Sequence, residues 1–123
     1  MIQPGLTHTS ILKVEEQHTA AAIGSGDMQV LATPIMLALM ENAAMLAVDQ
    51  ELSEDLTTVG SFIESTHLRP SPLGAEVVAT AQLTAVDGRK LSFHVVAMQE
   101  DVVIGEGSHT RYIVDRERFL ASL

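Results

Sequence analysis

Residues 33–50 read TPIMLALMENAAMLAVDQ, and this stretch decides the fold. Thr33 followed by Pro34 is a typical start of a helix, because a threonine hydroxyl can cap free backbone amides and proline fits the first helical turn. The helix predicted from Thr33 to about Gln50 is apolar on almost every face, whereas a surface helix has a single apolar stripe. We therefore expect other elements to wrap around this helix.

The rest of the chain reads mostly as β-strand. Residues 7–16 predict a first strand, and residues 23–29 (IGSGDMQ) predict a loop because they hold two glycines and an aspartate. After the helix, alternating apolar and polar residues predict strands at 57–69, 76–86, 89–99 and 102–114, then a short helical tail at 115–123. Pro70 and Pro72 end the first of these strands, and Asp87-Gly88 is a typical hairpin turn.

This order of elements predicts a single α+β domain that spans residues 1–123. We expect the hotdog fold, in which an antiparallel five-stranded sheet, linked mostly as a meander, wraps around one long apolar helix. A sheet of this kind leaves its other face and at least one edge uncovered. Pairing of two copies covers them, so a homodimer is expected.

The composition restricts the classes of partner and of site. Seven Lys and Arg stand against sixteen Asp and Glu, and the formal charge of -9 argues against nucleic acid or anionic lipid as a partner. The chain has no cysteine, so we expect no disulfide, no thiolate nucleophile and no cysteine zinc site. The longest apolar stretch is too short for a membrane span and residues 1–10 lack a secretory signal, which predicts a cytoplasmic protein.

Glu41 carries the strongest chemical signal. A carboxylate in the middle of an apolar helix either faces a cavity or is buried, and burial of an uncompensated charge is costly. A carboxylate shielded from water becomes a better base or nucleophile near neutral pH. The alternative is that Glu41 and Asn42 form a narrow solvated stripe on the helix.

His67 is the second candidate, because imidazole is suited to proton transfer. In a regular strand it shares one face with the odd-numbered residues from Val59 to Ser65. A partly exposed histidine with a structural partner is the alternative. The other four histidines fit no metal-ligand spacing, so no metal is expected. The Gly105-Glu106-Gly107 stretch lacks the third glycine of a dinucleotide-binding motif and predicts a bulge or a close approach to a ligand.

These candidates resemble a known family. Thr33, Glu41 eight positions later and His67 a further twenty-six positions along resemble the Thr/Glu/His set of the fluoroacetyl-CoA thioesterase type of hotdog enzyme. The resemblance covers most of the chain. It includes LME at 39–41, TH at 66–67, DGRKLS at 87–92 and GEGSHTR at 105–111.

The resemblance implies hydrolysis of an acyl-CoA thioester at a site between two subunits, with no cofactor other than the coenzyme A of the substrate. It also implies that the Gly60 backbone N–H points to the thioester oxygen and that Arg111 lies near the acyl pocket. One departure concerns the loop before the helix, where the fluoroacetate-specific enzyme has gating phenylalanines. Gly24 and Asp27 stand here instead, so an ordinary short or medium acyl group is expected.

Thioester hydrolysis suits these residues. Glu41 would act as base or as nucleophile, His67 would relay protons, and Thr33 would hydrogen-bond the carboxylate or thioester, or serve only as a helix cap. Eight residues of regular helix place Thr33 and Glu41 ~12 Å apart along the axis, so either the helix is bent or the site combines two subunits. The rival interpretations are a non-catalytic acyl-CoA or small-ligand binding protein and an enoyl-CoA hydratase.

Overall fold

The computed structural model describes residues 2–123 and contains the predicted elements in the predicted order. The strands are β1 (Thr7–Lys13), β2 (Leu56–Ser65), β3 (Glu76–Asp87), β4 (Lys90–Gln99) and β5 (Val102–Asp115), and the helices are α1 (Ala20–Ile23), α2 (Thr33–Asp49) and α3 (Arg116–Ala121). The two helices expected from the sequence, α2 and α3, are confirmed. The short helix α1 was not predicted.

All five strands form one antiparallel sheet in the order β1-β3-β4-β5-β2. The meander is confirmed for β3, β4 and β5. It does not include β2, which precedes β3 in the chain but pairs with β5 at the far edge of the sheet. Residues 66–75 therefore cross from one side of the sheet to the other, and they carry His67 with them.

Helix α2 packs against one face of the sheet, mainly on β1 and β3 and also on β4 and β2. Period-two alternation puts every second residue of β3 and β4 under this helix. These buried residues are Val77, Ala79, Ala81, Leu83, Leu91, Phe93, Val95 and Ala97. Ala85 was expected on the same face but is exposed, because the β3–β4 register shifts between Leu83 and Ala85.

The buried face of α2 carries large side chains near its start and mostly small ones further along. Met36 and Met40 are fully buried, and so are Ala43 and Ala44 in the next turn. Burial of each methionine contributes roughly 1.5–3 kcal/mol of hydrophobic stabilisation. The opposite side of α2 is only partly covered, since Ala38 is exposed in the single chain.

Two strands are shorter than predicted. β1 ends at Lys13 because Glu15 begins a 3-10 turn, in which its backbone N–H donates to Nδ1 of His18 at 2.9 Å. β2 ends at Ser65, where the crossing segment leaves the sheet. Within residues 2–123, none of the helices has the length and apolar character that crossing a membrane requires.

Candidate active site

Thr33 and His67 meet at the start of α2. Thr33 is the first residue of the helix, and its hydroxyl oxygen lies 2.7 Å from Nδ1 of His67 in a hydrogen bond. Ala32 occupies the cap position, and the helix has no side-chain cap. The interpretation of Thr33 as only a helix cap is therefore wrong: because Thr33 already lies inside the helix, its hydroxyl is directed to the histidine.

The imidazole of His67 is partly shielded from water. Burial lowers the pKa of His67 below its usual value of 6.5, and the backbone of Arg69 partly offsets this by raising it. The ring lines an open cleft of about 280 Å³ together with Thr33. The rest of the lining is mostly apolar and comprises Ala20, Ser25, Val30, Leu31, Leu68, Arg69 and Pro70.

Glu41 lies two turns further along α2 and faces a buried arginine. Its Oε2 is 3.9 Å from Nη1 of Arg111, and its side chain keeps 40% of its exposure while that of Arg111 keeps only 8%. Glu41 is therefore partly solvated, as the alternative interpretation expected, but one of its carboxylate oxygens faces a buried cation. Asn42 turns elsewhere, and its side-chain oxygen accepts a hydrogen bond of 2.7 Å from the hydroxyl of Ser10.

Gly60 forms the floor beneath the Glu41 carboxylate. A Cβ atom at Gly60 would lie 2.9 Å from Oε2 of Glu41 and 3.1 Å from Cε1 of His109. It would also lie 3.4 Å from Nη1 of Arg111. Only glycine allows such a close approach, so three side chains from α2 and β5 converge above one point of the β2 backbone.

Arg111 is held by three hydrogen-bonding contacts. Its Nε donates to the hydroxyl of Thr58 at 2.8 Å, and Nη2 donates to the backbone carbonyl of Thr58 at 2.9 Å. Nη1 lies 3.2 Å from Nε2 of His109. Burial lowers the pKa of Arg111 below its usual value, and the carboxylate of Glu41 acts in the opposite direction. The guanidinium is therefore fixed by hydrogen bonds before any ligand enters.

His109 completes the network around Glu41 and was not predicted as a site residue. It is almost fully buried, and its Nδ1 lies 2.7 Å from the carbonyl oxygen of Phe62. Burial lowers the pKa of His109, with the Arg111 charge acting in the same direction, while the Phe62 carbonyl and the Glu41 carboxylate raise it. The signal available in the sequence was its position two residues before Arg111, which puts both side chains on one strand face.

The site residues thus form two groups in one chain. Thr33 and His67 make the first group, and Glu41, Gly60, His109 and Arg111 make the second. Within residues 2–123, Glu41 makes no hydrogen bond or ion pair with Thr33 or His67. This agrees with the helical distance of ~12 Å between the Thr33 and Glu41 backbones.

A bulge in β2 explains why the faces of this strand were mispredicted. The β2–β5 pairing shifts between Gly60 and Phe62, so Ser61 is an extra residue. Before it, Gly60 pairs with Arg111, and after it Ile63 pairs with His109 on the same inward face. Because a bulge reverses the alternation, the odd-numbered residues from Val59 to Ser65 do not share one face, and His67 lies beyond the end of the strand.

Gly105 and Gly107 serve close packing between two strands. A Cβ at Gly107 would collide with the Glu64 backbone, and one at Gly105 would collide with the Thr66 carbonyl and the Met36 side chain. The expected bulge is present next to Gly105, between the pairs of Ala97 and Met98. The close neighbour is the chain's own backbone. Among the described residues no cluster of metal-ligating side chains occurs.

Comparison with known proteins places this geometry in context. Residues 14–117 match the family described as fluoroacetyl-CoA-specific thioesterase. The chain is also 37% identical over 95 residues to the fluoroacetyl-CoA thioesterase of Streptantibioticus cattleyicolor, an alignment that covers 77% of this chain and 68% of that protein.

Solved structures agree with the sequence comparison. A structure of a fluoroacetyl-CoA thioesterase superposes with a TM-score of 0.92 at 30% identity, covering 99% of this chain and 95% of that one. A hot-dog-like protein from Thermanaerovibrio acidaminovorans superposes with a TM-score of 0.88 at 21% identity, covering 98% and 90% of the two chains. The predicted hotdog fold is confirmed.

Proposed function

The chain belongs to the fluoroacetyl-CoA-specific thioesterase family and is a thioester hydrolase, and from this premise we propose that it cleaves an acyl-CoA at a site formed by two subunits. Glu41, His67 and Thr33 carry the reaction in this proposal. The observation that supports it is the separation of two reactive groups along one helix, with the Thr33–His67 pair at its start and Glu41 above Gly60 in its middle. A second copy of the chain would bring the two groups together.

Glu41 supplies the base or the nucleophile. As a base it removes a proton from water, which attacks the thioester carbon. As a nucleophile it forms an acyl anhydride and expels the coenzyme A thiolate, and water then opens the anhydride. The thiolate leaves with little acid assistance, since the pKa of an ordinary thiol is about 8.5.

His67 and Thr33 act at the opposite end of the site. The ring of His67 relays protons, and the Thr33 hydroxyl fixes its orientation through the 2.7 Å hydrogen bond. The first turn of α2 also carries partial positive charge, which favours negative charge that develops on the thioester oxygen.

Gly60 and Arg111 bind the substrate. The absence of a side chain at Gly60 lets the Glu41 carboxylate lie against the β2 backbone, and the backbone N–H of Gly60 would point to the thioester oxygen. Arg111 presents a fixed positive charge beside this carboxylate because three of its nitrogen atoms are already held by Thr58 and His109. The reaction needs no cofactor beyond the coenzyme A of the substrate.

An ordinary short or medium acyl group is the proposed substrate. The loop before α2 contributes small or polar residues at Gly24 and Asp27, both exposed, where gating aromatic side chains would be needed for a fluoroacetyl group. Arg69 lies on the wall of the Thr33–His67 cleft, and its side chain forms no hydrogen bond or ion pair within residues 2–123. In a chain with a formal charge of -9, this free cation is suited to the phosphates of the coenzyme A tail.

Thiol release from a panel of acyl-CoAs tests the proposal. The wild-type protein should release free thiol from short and medium acyl-CoAs, and Glu41→Ala should reduce kcat by at least a hundredfold. Glu117→Ala, which removes an exposed helical carboxylate from α3, serves as the matched control and should retain activity.

Other results would support the rival functions. If neither protein releases thiol but both bind acyl-CoA, the chain is a binding protein. If the double bond of an enoyl-CoA disappears without thiol release, it is a hydratase. Equal turnover by wild type and Glu41→Ala would remove Glu41 from the mechanism. The cytoplasmic location stays a prediction.

A further inference from the structure

We propose that His109 is a positioning residue, a neutral imidazole that holds the Arg111 guanidinium beside Glu41 and at the same time holds the backbone after the β2 bulge. The inference rests on the proposed function, because it assigns His109 a task in organising that site. His109 itself is not placed in contact with the substrate.

Hydrogen-bond chemistry selects the tautomer. Arginine has five N–H donors and no acceptor, so Nε2 of His109 must be the acceptor of the 3.2 Å contact with Nη1 of Arg111. The proton of a neutral ring then lies on Nδ1, which donates to the Phe62 carbonyl at 2.7 Å. A doubly protonated ring could not accept from Arg111, and the other tautomer could make neither hydrogen bond.

The Phe62 carbonyl links His109 to the shape of β2. A bulge removes one residue from regular pairing and re-aims the backbone around it. Here Ser61 is the extra residue, Gly60 lies directly before it and Phe62 directly after it. By binding the Phe62 carbonyl from β5, His109 fixes the bulge and with it the position of Gly60.

The same ring also fixes the charge that faces Glu41. Arg111 is buried, and a buried guanidinium needs acceptors for its donors. Thr58 binds Nε and Nη2, which leaves His109 as the acceptor for Nη1, the nitrogen that also faces Oε2 of Glu41 at 3.9 Å. Without His109, the planar guanidinium would lose one of its three acceptors, and the whole group would be held less firmly beside the Glu41 carboxylate.

A purely apolar core would not need this residue. His109 packs against Phe93 with ring centroids 6.1 Å apart, in a region where β4 contributes only apolar side chains to the core. Leucine or phenylalanine would fill such a position without the cost of burying two ring nitrogens. A buried polar side chain in an otherwise apolar core is expected where function requires it.

Nitrogen-15 NMR of the wild-type protein tests the tautomer without any substitution. At about pH 7.5 the His109 ring should show a protonated Nδ1 and an unprotonated Nε2. A ring that carries its proton on Nε2, or on both nitrogens, overturns the proposal. This readout does not depend on turnover, so it stays informative even if the protein releases no thiol from any acyl-CoA.

Kinetics of variants test the positioning role. His109→Leu should lower kcat about tenfold or more with a smaller change in KM, and His109→Gln, which retains an acceptor and a donor, should recover part of the loss. His94→Leu is the matched control, because His94 lies in the same sheet but forms an exposed pair with Glu106. Its kcat should equal that of the wild type.

A double variant distinguishes action through Arg111 from a separate effect. If His109 holds Arg111, then His109→Leu should lower kcat by a clearly smaller factor in an Arg111→Met background than in the wild type, and the loss that remains reports the contact with the Phe62 carbonyl. The proposal is overturned if the kcat loss of the double variant equals the product of the losses of the two single variants. It is also overturned if His109→Leu folds and has the kcat of the wild type. If His109→Leu does not fold, the NMR result decides.

Discussion

The hydroxyl oxygen of Thr33 lies 2.7 Å from Nδ1 of His67, although 34 positions separate the two residues along the chain. The contact depends on two features. Helix α2 begins at Thr33, so the hydroxyl lies at the open end of the helix, and the segment that leaves β2 passes this end on its way across the sheet. The path of the chain after β2 therefore brings His67 to Thr33. Glu41 is distant from both residues because it lies two turns further along the helix.

Replacement of Thr33 by valine should lower kcat about tenfold, because one hydrogen bond to the His67 ring is lost. Thr33→Ser, which keeps the hydroxyl, should retain most of the activity. Since no side chain caps the helix, the melting temperature of Thr33→Val should stay close to that of the wild type. A loss of about 1 kcal/mol in unfolding free energy with unchanged kcat would instead assign the Thr33–His67 hydrogen bond a purely structural role.

Mixed dimers should recover activity if the site combines two subunits. Co-expression of Glu41→Ala with His67→Ala should restore roughly a quarter of wild-type activity, since half of the dimers are mixed and each mixed dimer has one intact site. Thr33→Val mixed with His67→Ala is the control and should show no gain, because both substitutions affect the same group. Equal recovery in both mixtures, or in neither, would argue against a shared site.

Gly60→Ala should reduce activity more than stability. The added Cβ would displace Oε2 of Glu41, which is the mobile end of a long side chain, so the fold can adjust while the carboxylate moves. We expect kcat to fall about tenfold or more and the unfolding free energy to change by less than about 1 kcal/mol.

Gly107→Ala provides the comparison for Gly60→Ala. Its Cβ would meet the Glu64 backbone, which cannot move aside, so the main effect should be destabilisation by roughly 1–3 kcal/mol or more. Urea unfolding and steady-state kinetics of both variants measure the contrast. The interpretation fails if Gly60→Ala unfolds as readily as Gly107→Ala.

Stability should decrease as the pH falls below about 6.5. Burial lowers the pKa of both His67 and His109 in the folded protein. The unfolded chain therefore binds more protons in this window. The stability is complete above the unfolded pKa of 6.5 and is lost as the pH falls toward the lowered folded values. Melting temperatures between about pH 7.5 and 5.5 measure the effect, and a flat profile would contradict it.

Arg69→Ala should raise KM for acyl-CoA but not for an acyl N-acetylcysteamine thioester, which has no phosphates. The expected increase is about five- to tenfold and should diminish at high salt, because the interaction is between exposed charges. Arg118→Ala, which removes a cation from α3 outside the Thr33–His67 cleft, is the matched control. Equal increases for both thioesters would exclude a role in phosphate binding.

The sequence was sufficient for the parts of the fold that follow regular periods. An apolar stretch beginning with Thr33-Pro34 predicted a helix to about Gln50, and α2 ends at Asp49. The turn at Glu100-Asp101 was also predicted, and both residues have positive φ, as a two-residue hairpin turn of type I′ requires.

Irregular features limited what could be predicted. A bulge adds one residue without a distinctive sequence. The inward-facing residues of β2 therefore have even numbers before Ser61 and odd numbers after it, and the sequence does not indicate this change. His109 was overlooked because its role depends on contacts with Arg111 and with the Phe62 carbonyl, which follow from the pairing of β2 with β5. Arg111 and Gly60 came only from the family resemblance, because local patterns do not show which residues of distant strands face each other.

Helix α2 also acts as a ruler, because Thr33 and Glu41 are attached to the same rigid element. One residue inserted between them would turn Glu41 by ~100° about the axis and shift it by ~1.5 Å, which would carry the carboxylate away from Gly60. An insertion of equal size in the exposed segment 24–29 would leave this spacing untouched. Evolutionary length variation in proteins with this arrangement should therefore be confined to the loops, with the eight-residue interval preserved even where the acyl group has changed.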